Sequence, residues 1–326
     1  MRAAVVRSFD APPQYDTFPT PEPRGPHEVL VDVIAAGLHP RVRSGANGTH
    51  YTSRRDLPLV PGIDAVGRTA DGGLLYFVAP EGAPGEAPGT MAEQAVADLR
   101  RAVQLPPDTD PFAVAAAMNP GMSSWVALRR RAALPPGARV LVLGATGSAG
   151  RLAVRIARLL GAAHVVAAGR DPERLALLPA LGAAETVSLL GEPAEVAQRL
   201  GQAAADVDVV LDYVWGAPAE HAMRALLTAR ADRAKPLAWV QIGSTAGTEI
   251  TLPSELLRAA ALQLTGSGQG SVGTAAIVAE LPALAAHITA GDLAVTAVPV
   301  PLAKVADAWT DPVAPGHRVV LAPGLG

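Results

Sequence analysis

The chain has 326 residues, a formal net charge of −3 and no cysteine. Its length suggests two domains of about 100–200 residues each, and a content of 49% apolar and 17% charged residues excludes a disordered chain. Without a long basic run, neither nucleic acid nor a membrane surface is expected as partner, and the missing cysteine excludes disulfides, thiolate nucleophiles and cysteine-ligated zinc.

Met1 leads directly into the strand-like run Arg2–Val6, so no secretory leader is expected. Each apolar run is broken by Gly, Pro, Arg or Asp, and none reads as a membrane span. A cytoplasmic protein is the expectation. Residues 1–118 are rich in Pro and Gly and read as short strands, among them Glu28–Ile34 and Gly62–Arg68. Ala79–Gly89 reads as a Pro/Gly loop.

From about residue 119 the pattern changes. Strand-like Val140–Leu143 is followed by a helix over Ser148–Leu160. Strand Val165–Ala168 precedes a helix over Pro172–Leu181 that Gly182 ends. Strand Val207–Leu211, helix Ala217–Thr228, and strands Leu237–Ile242 and Ala260–Thr265 complete the series. Repeated β-α units of this size predict a parallel sheet with helices on both faces. Beyond it come a helix over Ala275–Ile288 and strands Val295–Val300 and Arg318–Leu321. The expected organisation is an α/β unit over residues 119–267, inserted into a mostly β unit made of 1–118 and 268–326.

The loop Gly144-Ala145-Thr146-Gly147-Ser148-Ala149-Gly150 lies between a strand and a helix. That setting makes it a dinucleotide site of the Rossmann type. Gly144 turns the chain off the strand, Gly147 lets backbone approach a pyrophosphate, and Gly150 lets the helix pack close to the strand. The helix start then offers free N–H groups and a positive dipole end to the phosphates. An NAD site usually places an acid at the end of the next strand, to accept the ribose hydroxyls. Here Gly169 and Arg170 stand at that place. A missing acid and a nearby guanidinium favour a 2′-phosphate, so NADPH is the expected cofactor. Asp171 reads as the N-cap of the helix that Pro172 opens.

These residues, with Met1-Arg2-Ala3-Ala4-Val5, the stretch 57–67, Gly89-Thr90-Met91-Ala92-Glu93 and Gly121-Met122-Ser123-Ser124-Trp125, give the chain a family likeness over nearly its whole length. It resembles the medium-chain dehydrogenase/reductase superfamily, in its zinc-free quinone oxidoreductase branch. The resemblance implies a GroES-like catalytic domain beside the Rossmann domain. It also implies a homodimer formed through the last Rossmann strand, around Ala261–Thr265, whose edge would otherwise be exposed.

Zinc-dependent relatives hold their metal with Cys, His and Cys. The matching positions here are His39, Ile63 and Pro120, whereas a catalytic zinc needs about three protein ligands. No metal is expected. What remains is hydride transfer from NADPH to a small electrophile, a quinone or an α,β-unsaturated carbonyl. Hydrogen-bond donors would stabilise the oxyanion, and a side chain or water would supply the proton. An imine or aldehyde reductase and an NADPH-binding sensor without turnover are the alternatives.

The resemblance puts His39 beside the nicotinamide, where it can donate a hydrogen bond or proton, or else serve as a packed core histidine. The following stretch 39–45 is shorter than in the family and lacks its tyrosine; Tyr51, slightly downstream, is a candidate for the pocket. Asp64 matches an acidic position that is common in the family. Ser123 and Ser124 stand at the junction into the α/β unit, where they can hold the cofactor or cap a helix. Tyr213, Gly243-Ser244 and Gly266-Ser267 follow predicted strands, at the carboxyl ends where such sheets bind ligands.

Overall fold

The computed structural model describes residues 1–53, 56–79, 88–314 and 316–325. Of the expected Pro/Gly loop, residues 80–87 lie outside the described residues. The chain forms two compact units: Met1–Asn119 with Leu281–Gly326, and Pro120–Glu280. The second unit is inserted into the first, and Glu280 at its end is tied to Trp125 and Arg129 of the same unit.

The discontinuous unit is mostly strand. Its larger sheet runs in the order Thr296–Pro301, His317–Ala322, Glu28–Gly37, Asp64–Thr69, Leu74–Val78, Ala102–Leu105, and Gln94–Asp98 also pairs with Glu28–Gly37. Pairing is antiparallel except between Thr296–Pro301 and His317–Ala322. Arg2–Val5 and Gln14–Thr17 form a separate ribbon. Inward side chains, among them Val31, Val33, Leu75, Phe77, Met91, Val305 and Leu321, make one core. Alternate strand residues point to one face, so each short strand contributes only two or three of them.

The inserted unit has a six-stranded, wholly parallel sheet. The order is Glu185–Ser188, His164–Gly169, Arg139–Leu143, Val209–Asp212, Leu237–Gln241, Leu262–Gly266. In sequence terms this is 3-2-1-4-5-6, the Rossmann order, with its switch point between the first and fourth strands. The central strands are buried on both faces, which is why they read as unbroken Val/Leu runs. Leu141, Leu143, Val166, Leu200, Val210, Met223, Leu226 and Trp239 fill one side of the sheet.

Two expected helices are divided. Pro172–Leu181 becomes an α-helix over Pro172–Ala176 and a 3₁₀ turn over Pro179–Leu181, because Pro179 has no N–H to continue the ladder. Gly182 then ends the turn at φ 103°, as expected of a left-handed cap. Ala275–Ile288 becomes Thr274–Val278 and Leu281–Thr289, with Pro282 in the first turn of the second piece, where a missing N–H leaves no bond unmade.

Candidate functional site

The strand Arg139–Leu143 leads into Gly144 at φ 86°, a left-handed conformation that favours glycine. The N–H groups of Gly144 and Ala145 both donate to the Ala168 carbonyl at 2.9 Å, so the loop is pinned to the end of the neighbouring strand. The helix Ser148–Leu159 begins after Gly147, which caps it without a side chain. A Cβ at Gly150 would lie 2.2 Å from the Gly144 carbonyl oxygen, so helix and loop pack backbone to backbone there. Gly147 differs. Its φ is −75°, which any residue adopts, and a Cβ there would meet nothing closer than 3.5 Å. Neither backbone freedom nor protein packing requires glycine at 147, and the helix start it caps is exposed. The residues thus fit a pyrophosphate. Ser148 and Ala149 open the helix and are half-buried, leaving the first-turn N–H groups as donors.

Gly169 ends the strand His164–Gly169 and is buried against the side chain of Thr146. Arg170 follows and is exposed; among the described residues its guanidinium has no hydrogen-bond or ion-pair partner. Asp171 caps the next helix by accepting the Arg174 N–H at 3.0 Å and pairs with the Arg174 guanidinium at 2.9 Å. Asp171 is therefore already engaged, whereas Arg170 is exposed.

The carboxyl ends of the next strands are held by one buried acid that the sequence does not single out. Asp212 takes the N–H groups of Val214 and Trp215 on one oxygen and the Trp239 indole N–H on the other. Burial raises its pKa against the pull of those three donors. Beside it, the Tyr213 hydroxyl lies 3.0 Å from Ser123 Oγ. Burial pushes this phenol up to about 12, against the Ser123 and Ser124 hydrogen bonds, so it stays neutral near pH 7. Ser124 is fully buried and its hydroxyl donates to the Gly121 carbonyl. Both serines lie on the helix Pro111–Val126, and both meet the Tyr213 hydroxyl, so they join that helix to the sheet. Gly243 packs on the Tyr213 backbone, where a Cβ would come within 2.8 Å of the carbonyl oxygen. Ser244 is exposed beside it. The Gly266 carbonyl accepts the Arg131 guanidinium at 2.7 Å, and Ser267 N–H donates to Gln241. A Cβ at Gly266 would meet nothing nearer than 4.0 Å, so this glycine too is not demanded by protein packing.

In the mostly-strand unit His39 and Asp64 are both 1% exposed and meet: His39 Nε2 is 3.3 Å from Asp64 Oδ1, within ion-pair reach but without hydrogen-bond alignment. His39 precedes the helix Pro40–Ala46, and its ring lies on Gly37, where a Cβ would come within 2.4 Å of Nε2. Asp64 opens its strand. Its other oxygen accepts the buried Tyr76 hydroxyl at 2.9 Å, and its carbonyl accepts the Thr90 hydroxyl. Burial, and then the neighbouring Asp64 charge, hold the Tyr76 phenol well above its usual pKa, so it remains a donor. Arg318 is buried nearby: desolvation lowers its pKa, Asp64 raises it, and Arg43 lowers it again. Tyr76 and Arg318 are not legible in sequence as partners of Asp64, since both reach it only through the folding of the sheet. Tyr51 does not join this group. It is 72% exposed, with its ring against His50.

The doubly wound sheet and its open glycine loop define a dinucleotide-binding class of protein. Residues 149–286 match a family model described as zinc-binding dehydrogenase. The chain is 32% identical, over 99% of its length and all of the relative's, to a probable NADPH-dependent quinone reductase of Emericella nidulans. The quinone oxidoreductase of Thermus thermophilus, solved also in complex with NADPH, matches at TM-score 0.80 and 28% identity, over 99% of this chain and 100% of that one. A mycobacterial protein solved with NADPH shares the fold at TM-score 0.79 and 23% identity, over the same shares of the two chains. The chain belongs to the medium-chain dehydrogenase/reductase superfamily, in its quinone-reductase-like branch. His39 meets Asp64, and among the described residues no group of three His, Asp or Glu side chains is placed to hold a metal, whereas a catalytic zinc needs about three protein ligands.

Proposed function

We propose that this chain is an NADPH-dependent, zinc-independent cytoplasmic reductase acting on a quinone or a small α,β-unsaturated carbonyl. The observation that carries the reading is the open helix start at Gly147, with the unpaired Arg170 guanidinium following Gly169. The first suits a pyrophosphate and the second a 2′-phosphate. The names of the Emericella and Thermus relatives support the same substrate class.

Bound NADPH would supply hydride to an electron-poor carbon of the acceptor. The residues of this chain then have separate tasks. Ser148 and Ala149 present backbone donors to the pyrophosphate, Gly147 leaves room for its approach, and Arg170 takes the ribose phosphate. Thr146, Gly144 and Gly150 shape the loop, and Ser123, Tyr213, Gly243, Ser244, Gly266 and Ser267 line the sheet's carboxyl ends. His39, oriented by Asp64, is the proposed proton or hydrogen-bond donor to the developing oxyanion. Tyr51 has no part in this scheme, because its exposure keeps it apart from the buried pair. The edge strand Leu262–Gly266 is the proposed homodimer seam; it pairs on one side only within the described chain.

The test follows loss of the reduced nicotinamide's absorbance with quinones, enones, aldehydes and cyclic imines as acceptors. Turnover is expected with quinones or enones. Turnover confined to imines or aldehydes would move the assignment to that class, and NADPH binding without oxidation by any acceptor would make the protein a sensor. Replacing His39 with Ala should lower kcat about 100-fold or more if it is the acid; an unchanged kcat removes it from the mechanism.

A further inference from the structure

We propose that Thr146 determines nucleotide specificity jointly with Gly169, so that the preference for a 2′-phosphate is a property of the pair. This deepens the cofactor assignment above and rests on it.

The backbone of Gly169 is not in the left-handed region, so conformational freedom does not explain a glycine there. A Cβ at 169 would lie 2.5 Å from Thr146 Cγ2, 2.8 Å from its Oγ1 and 3.2 Å from its Cβ. Rotation about χ1 exchanges the methyl and hydroxyl positions but leaves the 3.2 Å contact in place, because the threonine Cβ itself does not move. A branched side chain therefore crowds this corner in every rotamer. Backbone relief is blocked on both sides. The 144–145 turn is anchored to Ala168 by two hydrogen bonds, and the Gly169 carbonyl accepts at 2.8 Å the N–H of Leu189, which directly follows the neighbouring strand.

An acidic side chain that accepts a ribose diol starts at the end of this strand. Thr146 occupies the volume in which its first carbon would stand. Glycine at 169 is thus the residue that a threonine at 146 permits, and the site is closed to the NADH type of recognition before Arg170 acts at all. The Thr146 hydroxyl has no hydrogen-bond partner among the described residues and is free to meet the nucleotide.

Four full-length proteins test this: wild type, Gly169→Asp, Thr146→Gly and the double variant. Each is measured by thermal unfolding without ligand and by fluorescence titration with NADPH and NADH. Gly169→Asp alone should lower Tm and NADPH affinity and gain no NADH affinity. Adding Thr146→Gly should recover part of the Tm and tighten NADH binding about 10-fold or more relative to Gly169→Asp. Gly169→Ala carries the same Cβ without the charge, and keeps the thermal cycle readable if Gly169→Asp does not fold. Additive Tm changes, or a Gly169→Asp protein that binds NADH as tightly as the double variant, overturn the proposal. If wild type binds neither nucleotide, the cofactor assignment fails and takes the specificity role with it. The ligand-free thermal cycle then shows separately whether the steric coupling is real.

Discussion

Arg170 and Asp171 are adjacent base and acid with opposite fates. Asp171 commits its carboxylate to the helix start and to Arg174, whereas Arg170 is exposed and has no partner among the described residues. A charge-assisted contact to phosphate contributes about 1.5–3 kcal/mol, which corresponds to about 10- to 100-fold in affinity. Arg170→Ala should weaken NADPH binding by that factor and leave NADH binding unchanged; equal losses for both nucleotides would remove the phosphate contact. Both residues were legible in sequence, because capping and strand-end position are local properties. The Tyr76–Asp64–His39 contacts were not. Asp64 pairs with Val78 and Val66 with Tyr76 across a hairpin, and that register sets which side chains meet.

At the scale of the element, the glycine loop separates two uses of one residue type. Gly150 serves packing, whereas Gly147 is assigned to the ligand in the proposed function. Gly150→Ala forces a carbon to within 2.2 Å of a backbone oxygen and should unfold or strongly destabilise the inserted unit. Gly147→Ala meets no protein atom closer than 3.5 Å and should keep its Tm within about 2 °C. Its NADPH dissociation constant should nevertheless rise about 10-fold or more, since the methyl group stands where the phosphates approach. Thermal melts and titrations of the two variants check this. Equal Tm losses, or a Gly147→Ala protein that binds as wild type does, would contradict the division. The motif was plain in the sequence, but which glycine does which task depends on distances between backbone segments.

For the whole molecule, Glu280 closes the inserted unit at the residue where the chain leaves it. Its carboxylate takes the Trp125 indole N–H and pairs with Arg129 and Arg130. Burial alone would raise its pKa; the Trp125 and Arg129 hydrogen bonds and the two positive charges outweigh that and hold it below the ordinary glutamate value of 4.5. A depressed folded pKa contributes stability that is fully present above the unfolded value and is lost as pH falls through the folded one. Glu280→Gln should therefore cost about 1–3 kcal/mol at neutral pH, or about 2–4 °C per kcal/mol for a unit of this size. The penalty should shrink below pH 4.5. Melts across that range test it, and a gap that does not vary with pH would refute the pairing as its source.

The sequence by itself determined the α/β fold of the middle of the chain, the glycine loop between strand and helix, and the strand-end position of Gly169 and Arg170. Those rest on periodicity, capping and turn chemistry within a few residues of one another. Only the tertiary structure decided the rest. Strands such as Leu74–Val78, Gln94–Asp98 and Ala102–Leu105 are four or five residues long and carry too little pattern alone; they become strands by pairing with residues distant in the chain. The Glu280 ion pairs reach 151 residues back to Arg129. Thr146 and Gly169 were each legible in sequence, one in the glycine loop and one at a strand end, but only the close approach of loop and strand makes each a condition on the other.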